Sequence, residues 1–161
     1  MRESLLDILV DPVSKSPLTL HQEKVNGPEI TEGVLMTTGG RSYSIRDGIP
    51  RFVLTKDAGQ RQTEDSFGYK WQRRDAWFSP EVVSACRSWL LQRYGFESAE
   101  AMRNFFGGYR RILDAGCGSG FGSSLWLDPS YRGDWKSEWI GADISTAVDV
   151  APSRQVGLAS A

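Results

Sequence analysis

The run Arg111-Ile112-Leu113-Asp114-Ala115-Gly116-Cys117-Gly118-Ser119-Gly120-Phe121-Gly122 joins an apolar stretch to a carboxylate and to glycines at alternate positions. Glycine lets the chain turn sharply and lets a ligand lie against bare backbone, because no Cβ stands in the way. A strand feeding such a loop, with a helix after it, places a ligand at the carboxyl edge of a parallel sheet. Trp139-Ile140-Gly141-Ala142-Asp143-Ile144-Ser145 reads as a second apolar strand ending in a carboxylate. An acidic side chain at that position accepts hydrogen bonds from ribose hydroxyls in doubly wound sheets. The chemistry implied is the binding of a nucleoside-bearing ligand. A lone Gly-x-Gly is more often an empty turn, but here the strand, the acid and the second carboxylate-ended strand agree.

The glycine spacing is not that of a dinucleotide site. Gly-x-Gly-x-x-Gly begun at Gly116 needs glycine at 121, where Phe121 stands, and begun at Gly118 needs glycine at 123, where Ser123 stands. A nicotinamide- or flavin-dependent oxidoreductase is therefore disfavoured. The pattern resembles the first motif of class I S-adenosylmethionine-dependent methyltransferases, and Asp143-Ile144-Ser145 followed by Ala147-Val148 resembles the end of their second strand. The separation from Gly116 to Asp143 exceeds the usual spacing of about 20 residues; the insert Asp128-Pro129-Ser130-Tyr131-Arg132-Gly133-Asp134 reads as the loop that takes up the excess. The resemblance implies S-adenosylmethionine as cofactor, held by Asp114, Gly116, Cys117, Gly118, Gly120, Asp143 and Ile144. Within it, the glycine loop would lie under the methionine part, Asp114 would fix the loop or the amino group, and Asp143 would hold the ribose. It names no catalytic residue.

Elements must position these groups, and the 161 residues suffice for one ordinary domain or two small ones. Hydrophobic residues make up 40% and charged residues 24%, with a net charge of −1, so no global charge field argues for nucleic acid or a membrane surface. No apolar run is long enough to span a bilayer and no signal-peptide core opens the chain. The two cysteines, Cys86 and Cys117, make neither a disulfide framework nor a four-ligand zinc site. The composition reads as cytoplasmic.

Residues 1–56 read as one small unit. Leu5, Leu6, Ile8 and Leu9 form a helical apolar face stopped by Asp11-Pro12. Short strands follow at Leu18-Thr19-Leu20 and Val34-Leu35-Met36, separated by the turn Asn26-Gly27-Pro28, and again at Tyr43-Ser44-Ile45. Arg51-Phe52-Val53-Leu54 closes the unit. Leu5-Leu6-Asp7-Ile8-Leu9, Asp11-Pro12-Val13-Ser14-Lys15-Ser16-Pro17-Leu18 and Tyr43-Ser44-Ile45-Arg46-Asp47-Gly48-Ile49-Pro50 resemble a family of small zinc-ribbon-like bacterial proteins. That family is related to the activator subunit that partners tRNA, rRNA and protein methyltransferases. Metal-bearing members carry Cys-Pro-x-Cys where this chain has Asp11-Pro12-Val13-Ser14, and a further cysteine near Met36. Asp11, Ser14 and His21 lack the thiolates such ribbons use, so no metal is expected.

Residues 57–108 read as a linker and a helical segment. The rings Phe67, Tyr69, Trp71, Trp77 and Phe78 are read as welding the two units together, since aromatic stripes usually form core. Ser79-Pro80-Glu81 starts a helix with serine at the N-cap, its apolar face Val82, Val83, Cys86, Trp89, Leu90 and Tyr94, its end at Gly95. Cys86 reads as a core thiol. A shorter helix spans Ala99 to Phe106.

The expected fold class is α/β: the start of a doubly wound Rossmann-like methyltransferase sheet over 109–161, preceded by a small α+β ribbon-like domain. Each βαβ unit takes about thirty residues, so two strands and one helix fit after Arg110, with Ser145 capping a following helix. Val156-Gly157-Leu158-Ala159-Ser160 reads as featureless. The expectation is an N-terminal fragment of a methyltransferase, inactive alone and weak in cofactor binding. Its partner is an unidentified methyl acceptor, a small molecule in preference to nucleic acid, with no membrane. The alternative is a non-catalytic, activator-like binding module.

Overall fold

Gly27 and Pro28 close a tight hairpin, with Gly27 at φ +59°, so the strands on either side pair directly: Asn26 with Glu29 and Val25 with Ile30. The computed structural model describes residues 1–53, 79–128, 131, 136–151 and 158–159. Its fold is mixed α/β with two sheets. The first is antiparallel, in the order β1 (Thr19–Asn26), β2 (Glu29–Met36), β3 (Ser42–Arg46) and β4 (Ile49–Pro50). β3 alternates inward Tyr43 and Ile45 with outward Ser42, Ser44 and Arg46, as a strand with one covered face requires. Met1, Leu5, Leu18, Ile30, Leu35, Tyr43 and Ile45 form the core, with Leu5 held in a 3-10 turn over Glu3–Asp7. The longer helix expected from the Leu5–Leu9 pattern is not formed, and Ile8 is left exposed.

The second sheet is parallel, with β6 (Glu138–Ala142) between β5 (Arg111–Ala115) and β7 (Leu158–Ala159). Its register sets Ile112 beside Trp139 and Leu113 beside Ile140. Successive strand residues face opposite sides, and β6 uses both. Trp139 enters a cluster with Met102, Phe121, Leu125, Trp126 and Leu127, whereas Ile140 completes the core of the antiparallel unit. One face of the sheet thus carries helices and the other carries the N-terminal unit. Leu113, beside Ile140 but on the outer strand, is 66% exposed.

The helical face is built by α1 (Pro80–Tyr94), α2 (Ala99–Gly107) and α3 (Phe121–Leu127). Ser79 caps α1, its hydroxyl accepting from the Val82 amide at 3.3 Å, and Gly95 ends it at φ +74°. Ser98 caps α2 in the same way. Three expectations need correction. Leu158–Ala159, read as featureless, forms β7, paired with Gly141 and Ala142. Ser145 caps a 3-10 turn over Thr146–Val150 in place of an α-helix. The buried side of α1 runs through Val83, Cys86, Leu90 and Leu91, so Trp89 and Tyr94 are more than half exposed and Cys86 is only half-buried. The rings of Phe67, Tyr69, Trp71, Trp77 and Phe78 lie outside the described residues, as does most of the insert after Asp128. Among the described residues, no helix is long and apolar enough to cross a membrane.

Candidate functional site

The loop from Gly116 to Gly120 leaves β5 and enters α3. Gly116, Gly118 and Gly120 sit at φ +78°, +53° and +74°, a region side chains rarely adopt. Their alternation is thus required by the backbone, whereas Gly122 lies inside α3 with no such demand. A Cβ added at Gly116 would meet nothing within 4 Å, so that side of the loop is open.

The loop is tied to β6 by its own amides. The Gly116 and Cys117 amides both donate to the Ala142 carbonyl, at 2.7 and 3.1 Å, and the Gly120 amide donates to the Cys117 carbonyl. The Gly118 amide donates to Asp143 Oδ2 at 2.7 Å. The other oxygen of Asp143 accepts from the Ser145 amide at 2.7 Å and the Ser145 hydroxyl at 2.6 Å. Asp143 is thus the pin that joins the loop to the end of β6; Oδ1 already accepts twice, and Oδ2 retains one acceptor site.

Asp114, at the end of β5, is half-buried. Burial pushes its carboxyl up, the charge of Asp143 adds to that, and a hydrogen bond with Ser123 opposes both. Two carboxylates therefore share this lip while four loop amides are turned inward. Of the four, two amides are spent on the Ala142 carbonyl, one on Asp143 and one on the Cys117 carbonyl. The arrangement suits a ligand that brings a positive charge and hydroxyl donors.

The seven residues expected to bind cofactor are brought to one end of the parallel sheet, with two qualifications. The Cys117 side chain points away from the open side, packing with Ile49 and Val148. Its thiol is pushed up to about 12, chiefly by burial and then by the charges of Asp114 and Asp143. Ile144 is 44% exposed and makes no part of the loop's hydrogen bonding.

A second acid, read from the sequence only as the stop of the first apolar segment and as part of a set lacking metal-binding thiolates, organises the N-terminal unit. Asp11 is fully buried. It accepts from the Val13 and Ser14 amides at 3.3 and 3.0 Å, from the Ser14 hydroxyl, from the Arg41 guanidinium and from the Tyr43 hydroxyl. Burial alone would raise this carboxyl, but the hydrogen bonds from Ser14, Tyr43 and the Val13 backbone outweigh it and hold the group well below the usual carboxylate range. The oxygens of Asp11 are committed to protein donors, and no thiol lies in the unit, so these residues do not fit the zinc that related ribbons hold. Among the described residues, no group of three or more His, Cys, Asp or Glu is placed to hold a metal ion. Val13 and Ser14 are local partners of Asp11, whereas Arg41 and Tyr43 lie 30 and 32 residues away, which no local spacing reveals.

No family model matches the chain. Over 56 residues, 35% of its length, the chain is 45% identical to a UPF0434 protein of Marinomonas sp. strain MWYL1, covering 75% of that protein. Among solved structures it is similar to a chain of the complex between the Haloferax volcanii Trm112 methyltransferase activator and a methyltransferase. There the identity is 50%, the coverage 33% of this chain and 92% of that one, and the TM-score 0.31. By its match to three quarters of the Marinomonas protein, the chain belongs to the UPF0434 family.

Proposed function

We propose that the N-terminal unit is a methyltransferase-activator-type module and that the chain works in methyl transfer through it. The role rests on the resemblance of residues 5–18 and 43–50 to activator-related proteins. The observation that carries it furthest is the place of Ile140. This residue of the parallel sheet is buried among Met1, Leu5, Ile30 and Leu35, so the module's core is completed by the strand beside the glycine loop. The client that this packing indicates is the rest of the same chain.

The finer reading is that residues 109–161 begin a class I S-adenosylmethionine-dependent methyltransferase, as a doubly wound Rossmann-like sheet. The open glycine loop, its inward amides and the paired carboxylates support it. In that reading the Gly116–Gly120 backbone lies under the methionine part and Asp114 meets the ammonium group. Asp143 uses its remaining acceptor capacity on the ribose while still holding the Gly118 amide. S-adenosylmethionine supplies a methyl on a positively charged sulfur, which an acceptor nucleophile takes in line. The chain's own contribution is orientation, which can account for much of such a rate.

Calorimetry with S-adenosylmethionine tests both layers. The wild-type chain is expected to bind it only weakly, and Asp143→Ala to weaken binding further by roughly 1.5–3 kcal/mol, the scale of a hydrogen bond to a charged group. Equal affinity for the two proteins removes Asp143 from the site. No binding by a folded wild-type chain removes the cofactor reading and leaves the module reading alone.

A further inference from the structure

Among the described residues, the N-terminal unit reaches the glycine loop through β4 and the residue that follows it. β4 pairs with β3 through Ile45 and Pro50, and the Arg51 amide donates to the Ser44 carbonyl at 2.9 Å, so the chain from 49 to 51 is held extended. Residues two apart on extended backbone point to the same side. Ile49 and Arg51 both use that side to leave their own unit. Ile49 is buried with Cys117 of the loop and with Val148, which is fully buried in the 3-10 turn after Asp143. The Arg51 guanidinium pairs with Asp149, next to Val148. Neither contact belongs to the core of either unit.

We propose that Ile49 and Arg51 are positioning residues for the glycine loop: Ile49 seats the Cys117 side chain against Val148, and the Arg51–Asp149 pair fixes the register of the turn that carries Val148. The two contacts differ in kind. The apolar one excludes water from the underside of the loop and provides the holding force. The ionic one is partly exposed, Asp149 at 44%, and such pairs add little stability; it selects which arrangement is held. With Cys117 seated, its two neighbours in sequence, Gly116 and Gly118, are held in the left-handed backbone that opens the cradle. As a role in cofactor binding this rests on the reading proposed above, but the seating itself does not depend on any ligand.

The thiol reports on the seating. A buried, un-ionised thiol is unreactive, because the thiolate is the nucleophile. Cys86, in the helical cluster on the other face of the sheet, provides an internal control. The test is iodoacetamide labelling of the full chain without ligand, with Cys117 and Cys86 followed separately by mass spectrometry. Ile49→Ala is expected to speed labelling at Cys117 by at least about tenfold, the scale on which removing a buried aliphatic side chain shifts a local opening, and to leave Cys86 unchanged. Ile49→Val should restore most of the protection. Arg51→Asp should speed Cys117 labelling, and Arg51→Asp combined with Asp149→Arg should slow it again. Unchanged labelling of Cys117 in Ile49→Ala overturns the proposal. So does equal acceleration at both cysteines, or failure of the charge swap to restore protection. Calorimetry on the same variants separates the two layers. If Cys117 responds as described but wild type does not bind S-adenosylmethionine, the cofactor reading fails and the seating stands. If wild type binds and Ile49→Ala binds equally well despite an exposed Cys117, the positioning role is overturned.

Discussion

Two acids at two places in this molecule, Asp11 fully buried and Asp114 half-buried, meet opposite surroundings. Asp11 lies where every neighbour is a donor: two amides, two hydroxyls and a guanidinium converge on its oxygens. Asp114 lies at the mouth of a loop whose donors are turned elsewhere, with a second carboxylate close enough to raise it. The first is a closed knot with nothing left to offer a ligand. The second keeps an unfavourable charge that a cation would relieve. The two acids thus differ in whether the protein has already answered their charge, and on the reading proposed above the unanswered one is the binding acid.

Their pH behaviour follows with opposite sign. The depressed carboxyl of Asp11 contributes stability that is complete above the unfolded carboxyl range, near about pH 4, and is lost as pH falls through its lower folded value. The raised carboxyl of Asp114 contributes stability present below about pH 4, which is lost as pH rises through its folded value. The largest expected effect is therefore Asp11→Asn. An amide presents an NH2 to donors, leaves Arg41 unpaired and frees Tyr43, so the N-terminal unit should lose its cooperative thermal transition at neutral pH. A variant that melts like wild type would show that the knot holds nothing.

Gly118→Val comes next. Its backbone sits at φ +53°, and forcing a branched residue there costs about 1–2 kcal/mol. Denaturant unfolding should show that loss, and S-adenosylmethionine binding should fall further than for Asp143→Ala, because the Gly118 amide no longer meets Asp143. Unfolding at the wild-type midpoint would mean that the loop tolerates another conformation. The smallest effect is Asp114→Asn. It should raise the melting temperature at pH 7 by about 1–3 °C, flatten the pH dependence above pH 4 and weaken cofactor binding. Stabilisation without loss of binding would make Asp114 a passive residue.

Local patterns in the sequence carried further for the elements than for the connections between them. Ser79, Pro80 and Gly95 mark the ends of α1 because capping is chemistry within a few residues. The two carboxylate-ended strands and the glycine loop were legible for the same reason. The exposed ring of Trp89 was misread because it falls in period with the buried face, and only the neighbouring elements decide where that face lies. β7 escaped notice because two residues carry no periodicity. Ile49 and Arg51 act on partners that are distant in the chain, so nothing around them signals a role, and the same holds for the bonds of Asp11 to Arg41 and Tyr43. The absence of thiols at Asp11, Ser14 and Met36 was visible at once. What replaced them was not, since Arg41 and Tyr43 become partners of Asp11 only when β3 packs beside the turn.

The comparison is tested most directly by amide hydrogen exchange on the 161-residue chain, with and without a high concentration of S-adenosylmethionine. Binding at the lip should slow exchange at Gly116–Gly122 and at Asp143–Ser145. The strands β1 to β3 and the turn around Asp11 should be unchanged. Protection that appears around Asp11 and not at the loop, or no change anywhere at the highest concentration reached, would contradict the assignment of the open acid as the binding one.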